Sequence, residues 1–121
     1  MAYRELYAKW KADPEGYWLD AAGAIDWIDR PKTALNASRA PLYEWFTDAT
    51  VNACYNAVDR HALGVKRGQA ALIWESPEVG QSRTITFFEL YREVNRLAGV
   101  FQGLGVRKGD RVIIYMPMVP E

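Results

Sequence analysis

The sequence predicts a mixed α/β fold, and its second half carries the strongest signals. Apolar residues recur at alternating four- and three-residue spacing, which is typical of one face of an α-helix: Leu90, Val94, Leu97, Phe101 and Leu104. Thr86 and Glu89 form a capping-box pattern just before that stripe. Arg111 is then followed by the apolar run 112–116, and the absence of polar alternation is typical of a strand buried on both faces. We therefore expect the start of an α/β layer.

Composition narrows the class of protein. The chain has 121 residues, enough for one domain, and its 15 Lys+Arg balance its 15 Asp+Glu. This neutrality disfavours nucleic acid and anionic membranes as partners. No apolar run reaches the ~20 residues of a membrane span, and the N-terminal residues lack the apolar core of a signal peptide. The single cysteine excludes an internal disulfide and predicts a cytoplasmic location.

The first half predicts short helices and an aromatic strap. A first helix places four apolar side chains on one face: Tyr3, Leu6, Tyr7 and Trp10. Asp13-Pro14-Glu15 is a helix-start signal, and Gly23 is expected to close that second helix. In residues 25–41, apolar residues no longer recur at helical spacing. Because this stretch and the residues after it contain large aromatics, we interpret it as a strap pinned on a larger body.

The centre of the chain predicts a third helix followed by a hairpin. Asn52 is expected to cap a helix over residues 53–62, whose inner face holds Cys54, Tyr55 and Val58. Residues 70–75 and 83–86 are expected to form a β-hairpin around the turn-forming residues 76–81.

The long helix and the composition shift complete the organisation. Gly103 and Gly105 are expected to end the helix that starts after Thr86, and Lys108-Gly109-Asp110 is expected to form a turn. The composition changes between Leu63 and Gly68. We therefore predict two regions, residues 1–66 and residues 67–121.

The residues that could act in catalysis or metal binding are better explained by structural roles. His61 is the only histidine and has no second histidine or cysteine at ligand spacing, so we expect a hydrogen-bonded histidine at a helix end. Cys54 is interpreted as a small core residue rather than a nucleophile. For Asp59 and Arg60, we favour a local role in helix capping or an ion pair over a role in binding a substrate.

Two further features have a functional alternative. The five tryptophans could form a sugar-stacking platform, but their irregular spacing favours packing. Residues 103–109 superficially resemble a phosphate-binding loop. They follow a helix and precede a strand, the reverse of the order that aims a helix N-terminus at phosphate, so we reject that interpretation.

Several stretches together resemble the N-terminal part of the short-chain AMP-forming acyl-CoA synthetases. One element is similar to a motif common across adenylate-forming enzymes: Leu104-Gly105-Val106-Arg107-Lys108-Gly109-Asp110-Arg111-Val112. The next is similar to a motif of acetate– and propionate–CoA ligases: Tyr115-Met116-Pro117-Met118-Val119-Pro120-Glu121. Trp45-Phe46, Asn52 and the run Asn56-Ala57-Val58-Asp59-Arg60-His61 resemble the short-chain branch.

Within that branch, three stretches look more like propionate–CoA ligases: Ala2-Tyr3-Arg4-Glu5-Leu6-Tyr7, Ala24-Ile25-Asp26-Trp27 and Cys54-Tyr55-Asn56-Ala57-Val58-Asp59-Arg60-His61. The resemblance therefore favours a propionate–CoA ligase, with an acetate–CoA ligase as the alternative.

The resemblance implies a chemistry whose residues lie outside this chain. Such enzymes join a carboxylate to ATP, and coenzyme A then displaces AMP; a phosphate loop, magnesium and a mobile lysine stabilise the developing charge. These elements follow the matched region, so no catalytic, cofactor-binding or metal-ligating residue is assigned here. The chain is expected to be an inactive, structural fragment that begins the large AMP-binding domain.

The resemblance also implies the partners. The main expected partner is the remainder of the same chain, and the parent enzyme would bind ATP, magnesium, coenzyme A and a small carboxylate. The fragment is also expected to self-associate through an unpaired strand edge. The alternative class is a standalone interaction domain whose strand edge takes up a partner strand.

Overall fold

In the computed structural model, residues 2–120 are described. The chain divides into two compact units, Met1–Asn56 and Ala57–Glu121. The predicted division between residues 66 and 67 reflects a change in composition and stays a prediction. Glu121, the last residue of the ligase-like motif, lies outside the described residues.

Two helices open the first unit, as predicted. Helix α1 spans Tyr3–Ala12 and helix α2 spans Pro14–Ala22. The Asp13 carboxylate accepts a hydrogen bond from Gly16 N at 3.0 Å, which is the expected N-cap. Lys9 Nζ of α1 lies 2.9 Å from Asp20 Oδ2 of α2. This contact raises the pKa of Lys9 and lowers that of Asp20, although both groups are exposed and the pair stabilises little.

The segment predicted to be irregular contains short strands. Strand β1 (Trp27–Asp29) pairs antiparallel with β4 (Thr50–Val51), and β2 (Leu35–Asn36) pairs with β3 (Glu44–Trp45). Strands of this length are too short to show an alternation of apolar and polar residues, so periodicity could not predict them.

Side chains hold these short ladders in place. The Glu15 carboxylate of α2 accepts hydrogen bonds from Ala34 N at 2.6 Å and Leu35 N at 3.4 Å. The Asn56 side chain accepts from Asp26 N and donates to Asp26 O, both at 2.8 Å. These bonds satisfy backbone groups that such short ladders leave without strand partners.

The third helix is present but is not a regular α-helix. Asn52 caps it through a hydrogen bond from Tyr55 N at 2.9 Å, as predicted. A π-helical stretch, Tyr55–Asp59, then leads into α3, Arg60–Ala62. The wider π-helical turn changes the spacing that defines a face. The predicted inner face was therefore wrong in part: Val58 is buried, whereas Cys54 and Tyr55 are exposed.

A hairpin and a long helix form the second unit. Strands β5 (Ala70–Ser76) and β6 (Gln81–Thr86) pair antiparallel, with Trp74 opposite Arg83. The second arm begins two residues earlier than predicted. Helix α4 spans Phe87–Gly103 and carries the predicted stripe. Gly105, with a φ of 83°, follows the helix in the left-handed conformation that glycine accepts most readily.

The predicted buried strand at residues 111–116 is wrong for this chain. These residues form no strand in the described structure, and Ile113, Ile114 and Tyr115 are 88%, 80% and 100% exposed. Apolar side chains alone do not make a strand, because its backbone groups need a neighbouring strand for their hydrogen bonds. Within residues 2–120 the run has no such neighbour. The mixed α/β class itself is confirmed.

Candidate functional site

The N-terminus of α4 is closed by the chain itself. Its first two amides donate to backbone carbonyls: Phe87 N to Gln69 O at 3.0 Å and Phe88 N to Arg67 O at 3.1 Å. The third, Glu89 N, donates to Thr86 Oγ1 at 3.2 Å. A helix terminus binds an anion through such amides. With all three engaged, this end of α4 is a structural junction.

Thr86 and Glu89 complete the predicted capping box. Glu89 Oε2 accepts hydrogen bonds from Thr86 N and from the Thr86 hydroxyl, both at 2.8 Å. The backbone hydrogen bond from Thr86, followed by that of its hydroxyl, lowers the pKa of the Glu89 carboxyl. Both bonds favour the ionised carboxylate, so the box depends on pH.

Aromatic contacts surround the start of α4. The Arg67 guanidinium lies 3.5 Å from the centroid of the Phe88 ring, which stacks on Tyr91 with centroids 6.4 Å apart. The His61 ring lies 5.0 Å from that of Phe87. His61 thus packs against α4 at the end of α3, and its predicted hydrogen bond stays a prediction.

The other candidate residues do not converge on a reaction centre. Cys54 is exposed, so the prediction that it packs in the core was wrong. Asp59 and Arg60 both take part in further interactions. Among residues 2–120, no group of three His, Cys, Asp or Glu side chains is arranged to hold a metal ion.

The tryptophans of the first unit pack against neighbouring rings. Trp18 and Trp45 meet edge to face, with centroids 5.6 Å apart and an interplanar angle of 76°. Trp27 contacts Phe46 at 5.4 Å, and its Nε1 donates to Ala22 O at 2.7 Å. Edge-to-face contacts make a packed cluster rather than a flat platform for a sugar ring, in agreement with the prediction.

The most unusual feature of the second unit is its exposed apolar surface. We call residues 111–118 the apolar segment; its exposed large side chains are Val112, Ile113, Ile114, Tyr115, Met116 and Met118. The stripe of α4 is also incompletely covered, with Leu97 49% and Leu104 76% exposed. Several large apolar side chains exposed within one short stretch indicate an interaction site. This surface is therefore the candidate functional site.

Two hydrogen bonds lie at the ends of the apolar segment. Trp74 Nε1 donates to Met118 O at 3.0 Å. At the other end, Asp110 Oδ2 accepts from Arg107 N at 2.7 Å within the predicted turn. The turn was visible in the sequence as Lys108-Gly109-Asp110. The Trp74 contact joins residues 44 positions apart, so no local pattern could predict it.

Two family models divide the chain between them. Residues 3–57 match the model described as acetyl-coenzyme A synthetase N-terminus. Residues 58–121 match the model described as AMP-binding enzyme. Because the second match covers more than half of the sequence, the chain belongs to the AMP-binding enzyme family.

Known relatives narrow the comparison. An acetyl-coenzyme A synthetase of Gemmatimonas aurantiaca is 49% identical over 120 residues, covering 99% of this chain and 18% of the relative. One of Bradyrhizobium diazoefficiens is 44% identical over 122 residues, covering 98% and 19%. The Bos taurus protein named acyl-CoA synthetase short-chain family member 3, mitochondrial, is 40% identical over 119 residues, covering 98% and 17%.

These matches confirm the predicted resemblance at the level of the short-chain acyl-CoA synthetases and relate the chain to their N-terminal part. The chain spans about a fifth of the length of the curated relatives it matches. Among the described residues, no helix is both long and apolar enough to cross a membrane.

Proposed function

We propose that this chain is the N-terminal scaffold of an AMP-forming acyl-CoA synthetase. The intact protein would convert a short-chain carboxylate, ATP and coenzyme A into acyl-CoA, AMP and pyrophosphate. The observation that supports this proposal is the small size of the buried core. Its buried apolar residues are Ala22, Ala34, Val58, Ala62 and Ile85, while larger side chains such as Ile113 and Tyr115 lie at the surface.

That imbalance supports a role within a larger body. A chain of this size normally buries roughly two thirds of its unfolded surface. Here the buried set is dominated by alanine, and the apolar segment has strand-forming side chains but no strand partner in the described residues. Covering Val112, Ile113 and Ile114 with a neighbouring strand and helix would supply both the missing hydrogen bonds and the missing burial. The remainder of the protein is the proposed partner.

The substrate is proposed as acetate first and propionate second. The bacterial relatives cited above are named acetyl-coenzyme A synthetases, which favours acetate. The run Cys54-Tyr55-Asn56-Ala57-Val58-Asp59-Arg60-His61 is the residue-level argument for propionate. Neither substrate is proposed to contact these residues. The groups that bind ATP, magnesium, coenzyme A and the carboxylate are proposed to lie outside the matched part, in a cytoplasmic enzyme.

A carboxylate panel tests this proposal. The longer product that extends this sequence to the length of its relatives should catalyse carboxylate-dependent ATP–pyrophosphate exchange with acetate and, less efficiently, with propionate. A higher kcat/KM for propionate would restore the order favoured by the sequence. Exchange with neither acid would contradict the proposed activity.

A standalone interaction domain is the second candidate. Its support is the two-stranded β5–β6 sheet, whose outer edges pair with no further strand among the described residues, because an open strand edge can accept another strand. Light scattering after size exclusion separates the two candidates. A stable, concentration-independent monomer with protected amides throughout the apolar segment would favour the standalone domain. Concentration-dependent association would favour the scaffold.

A further inference from the structure

The last described residues return to the β5–β6 hairpin. Besides the hydrogen bond from Trp74 Nε1 to Met118 O, the tail shares a groove with the hairpin. Its lining comprises Trp74, Gly80, Gln81, Ser82, Arg83, Val119 and Pro120. Val119 N also donates to Pro117 O at 2.9 Å, which turns the chain at this point. The tail is therefore attached to the hairpin by a directed hydrogen bond.

The opposite end of the apolar segment is fixed as well. Asp110 N donates to Arg107 O at 3.1 Å, and the Asp110 carboxylate accepts from Arg107 N. Gly109 has a φ of 97°, a left-handed conformation that closes the turn. Residues 111–117 thus run between two anchors, with their apolar side chains exposed.

We propose that Trp74 is a positioning residue that latches the apolar segment in place. The latch acts through the backbone, because the Met118 side chain is 94% exposed and only its carbonyl is held. Restraining both ends of a loop removes part of its conformational freedom before any partner arrives. A segment ordered in this way loses less entropy when its apolar side chains are covered.

The latch concerns this chain alone and does not depend on the proposed enzymatic activity. In this proposal, different residues provide the apolar surface and determine its position. Residues 112–116 provide the apolar side chains, whereas Trp74 and the turn at Gly109 determine where those side chains are presented. The identity of residue 118 should be unimportant, but the indole N–H at position 74 should be essential.

The test compares three substitutions in the 121-residue chain. Trp74→Phe keeps an aromatic ring and removes the donor. Trp27→Phe removes the similar indole bond to Ala22 O within the first unit. Met118→Ala changes only the exposed side chain. Chymotrypsin cleavage after Tyr115 reports opening of the segment, and cleavage after Tyr3 serves as an internal reference.

We expect Trp74→Phe to accelerate cleavage after Tyr115 by roughly 2- to 10-fold relative to cleavage after Tyr3. This is the change expected from the loss of one hydrogen bond when the cleavage rate is proportional to the population in which the segment is open. The heteronuclear NOE of the Val119 amide should fall in the same variant. Trp27→Phe and Met118→Ala should leave both readouts at the wild-type value. Equal cleavage in wild type and Trp74→Phe, or an equal increase in either control, would overturn the latch.

A wild-type measurement keeps the test independent of how the variant folds. The Trp74 indole proton should exchange several-fold more slowly than in the urea-unfolded chain, because it is held by Met118 O. The Trp27 indole proton, bonded to Ala22 O, is the positive benchmark. Protection of the Trp27 proton without protection of the Trp74 proton would also overturn the proposal.

Discussion

Replacing Thr86 with valine should weaken the junction between β6 and α4. Valine keeps the shape and the β-branched preference of threonine but removes the hydroxyl, which accepts from Glu89 N at 3.2 Å and donates to Glu89 Oε2 at 2.8 Å. Water can reach the exposed groups left behind, so the expected loss is about 1 kcal/mol, in the middle of the range for an N-cap. Thr86→Ser is the matched control because it keeps the hydroxyl.

Urea denaturation followed by far-UV circular dichroism measures this loss. With a slope of roughly 1–3 kcal/mol per molar urea, the midpoint of Thr86→Val should fall by about 0.3–1 M. Thr86→Ser should remain near wild type. A wild-type midpoint for Thr86→Val, or an equal decrease for Thr86→Ser, would refute the assigned role of the hydroxyl.

The same junction predicts a pH dependence. The folded-state pKa of Glu89 lies below its usual value of 4.5, so its stabilising contribution is complete above that pH. The contribution is lost as the pH falls through the folded-state pKa. Glu89→Gln keeps a side chain that can accept a hydrogen bond but does not titrate. The difference in urea midpoint between wild type and Glu89→Gln should therefore shrink below pH 4.5; a constant difference would contradict the assignment.

Three further changes test other parts of the structure. Glu15→Gln should lower the urea midpoint of the first unit, because a neutral amide replaces the carboxylate that accepts from Ala34 N, and Glu15→Ala should lower it further. Ala62→Leu should cost about 1–3 kcal/mol in urea denaturation, because Ala62 is 0% exposed and extra methylene groups in a close-packed interior force side chains and backbone to shift. Gly109→Ala should cost about 1 kcal/mol by the same assay, because its φ of 97° disfavours a side chain. A midpoint unchanged by any of these would contradict the contact concerned.

Local chemistry made most helices predictable. The cap at Asp13, the box at Thr86 and the glycines after α4 each act within a few residues, so spacing alone revealed them. The hairpin was predictable for the same reason, apart from the start of its second arm. The short ladders of the first unit depend on side-chain contacts over longer separations, such as that of Glu15 with Ala34, and no periodic pattern records those contacts.

The errors at Cys54 and at residues 111–116 have different physical causes. Cys54 was assigned to a face by α-helical spacing, but the π-helical stretch Tyr55–Asp59 has a wider turn. The apolar run at residues 111–116 has the side chains of a strand but lacks a neighbour among the described residues. The apolar side chains of this run are suited to burial between neighbouring elements. Whether the run forms a strand depends on whether those neighbouring elements are present. The family resemblance came from ordered motifs rather than from packing, and it was confirmed at the level of the short-chain acyl-CoA synthetases.

We propose that this chain provides scaffold and no catalytic group. ATP–pyrophosphate exchange with acetate, measured side by side on the 121-residue chain and on the longer product that extends it, tests this claim most directly. We predict background exchange for the 121-residue chain and acetate-dependent exchange for the longer protein. Acetate-dependent exchange by the 121-residue chain alone would contradict this proposal.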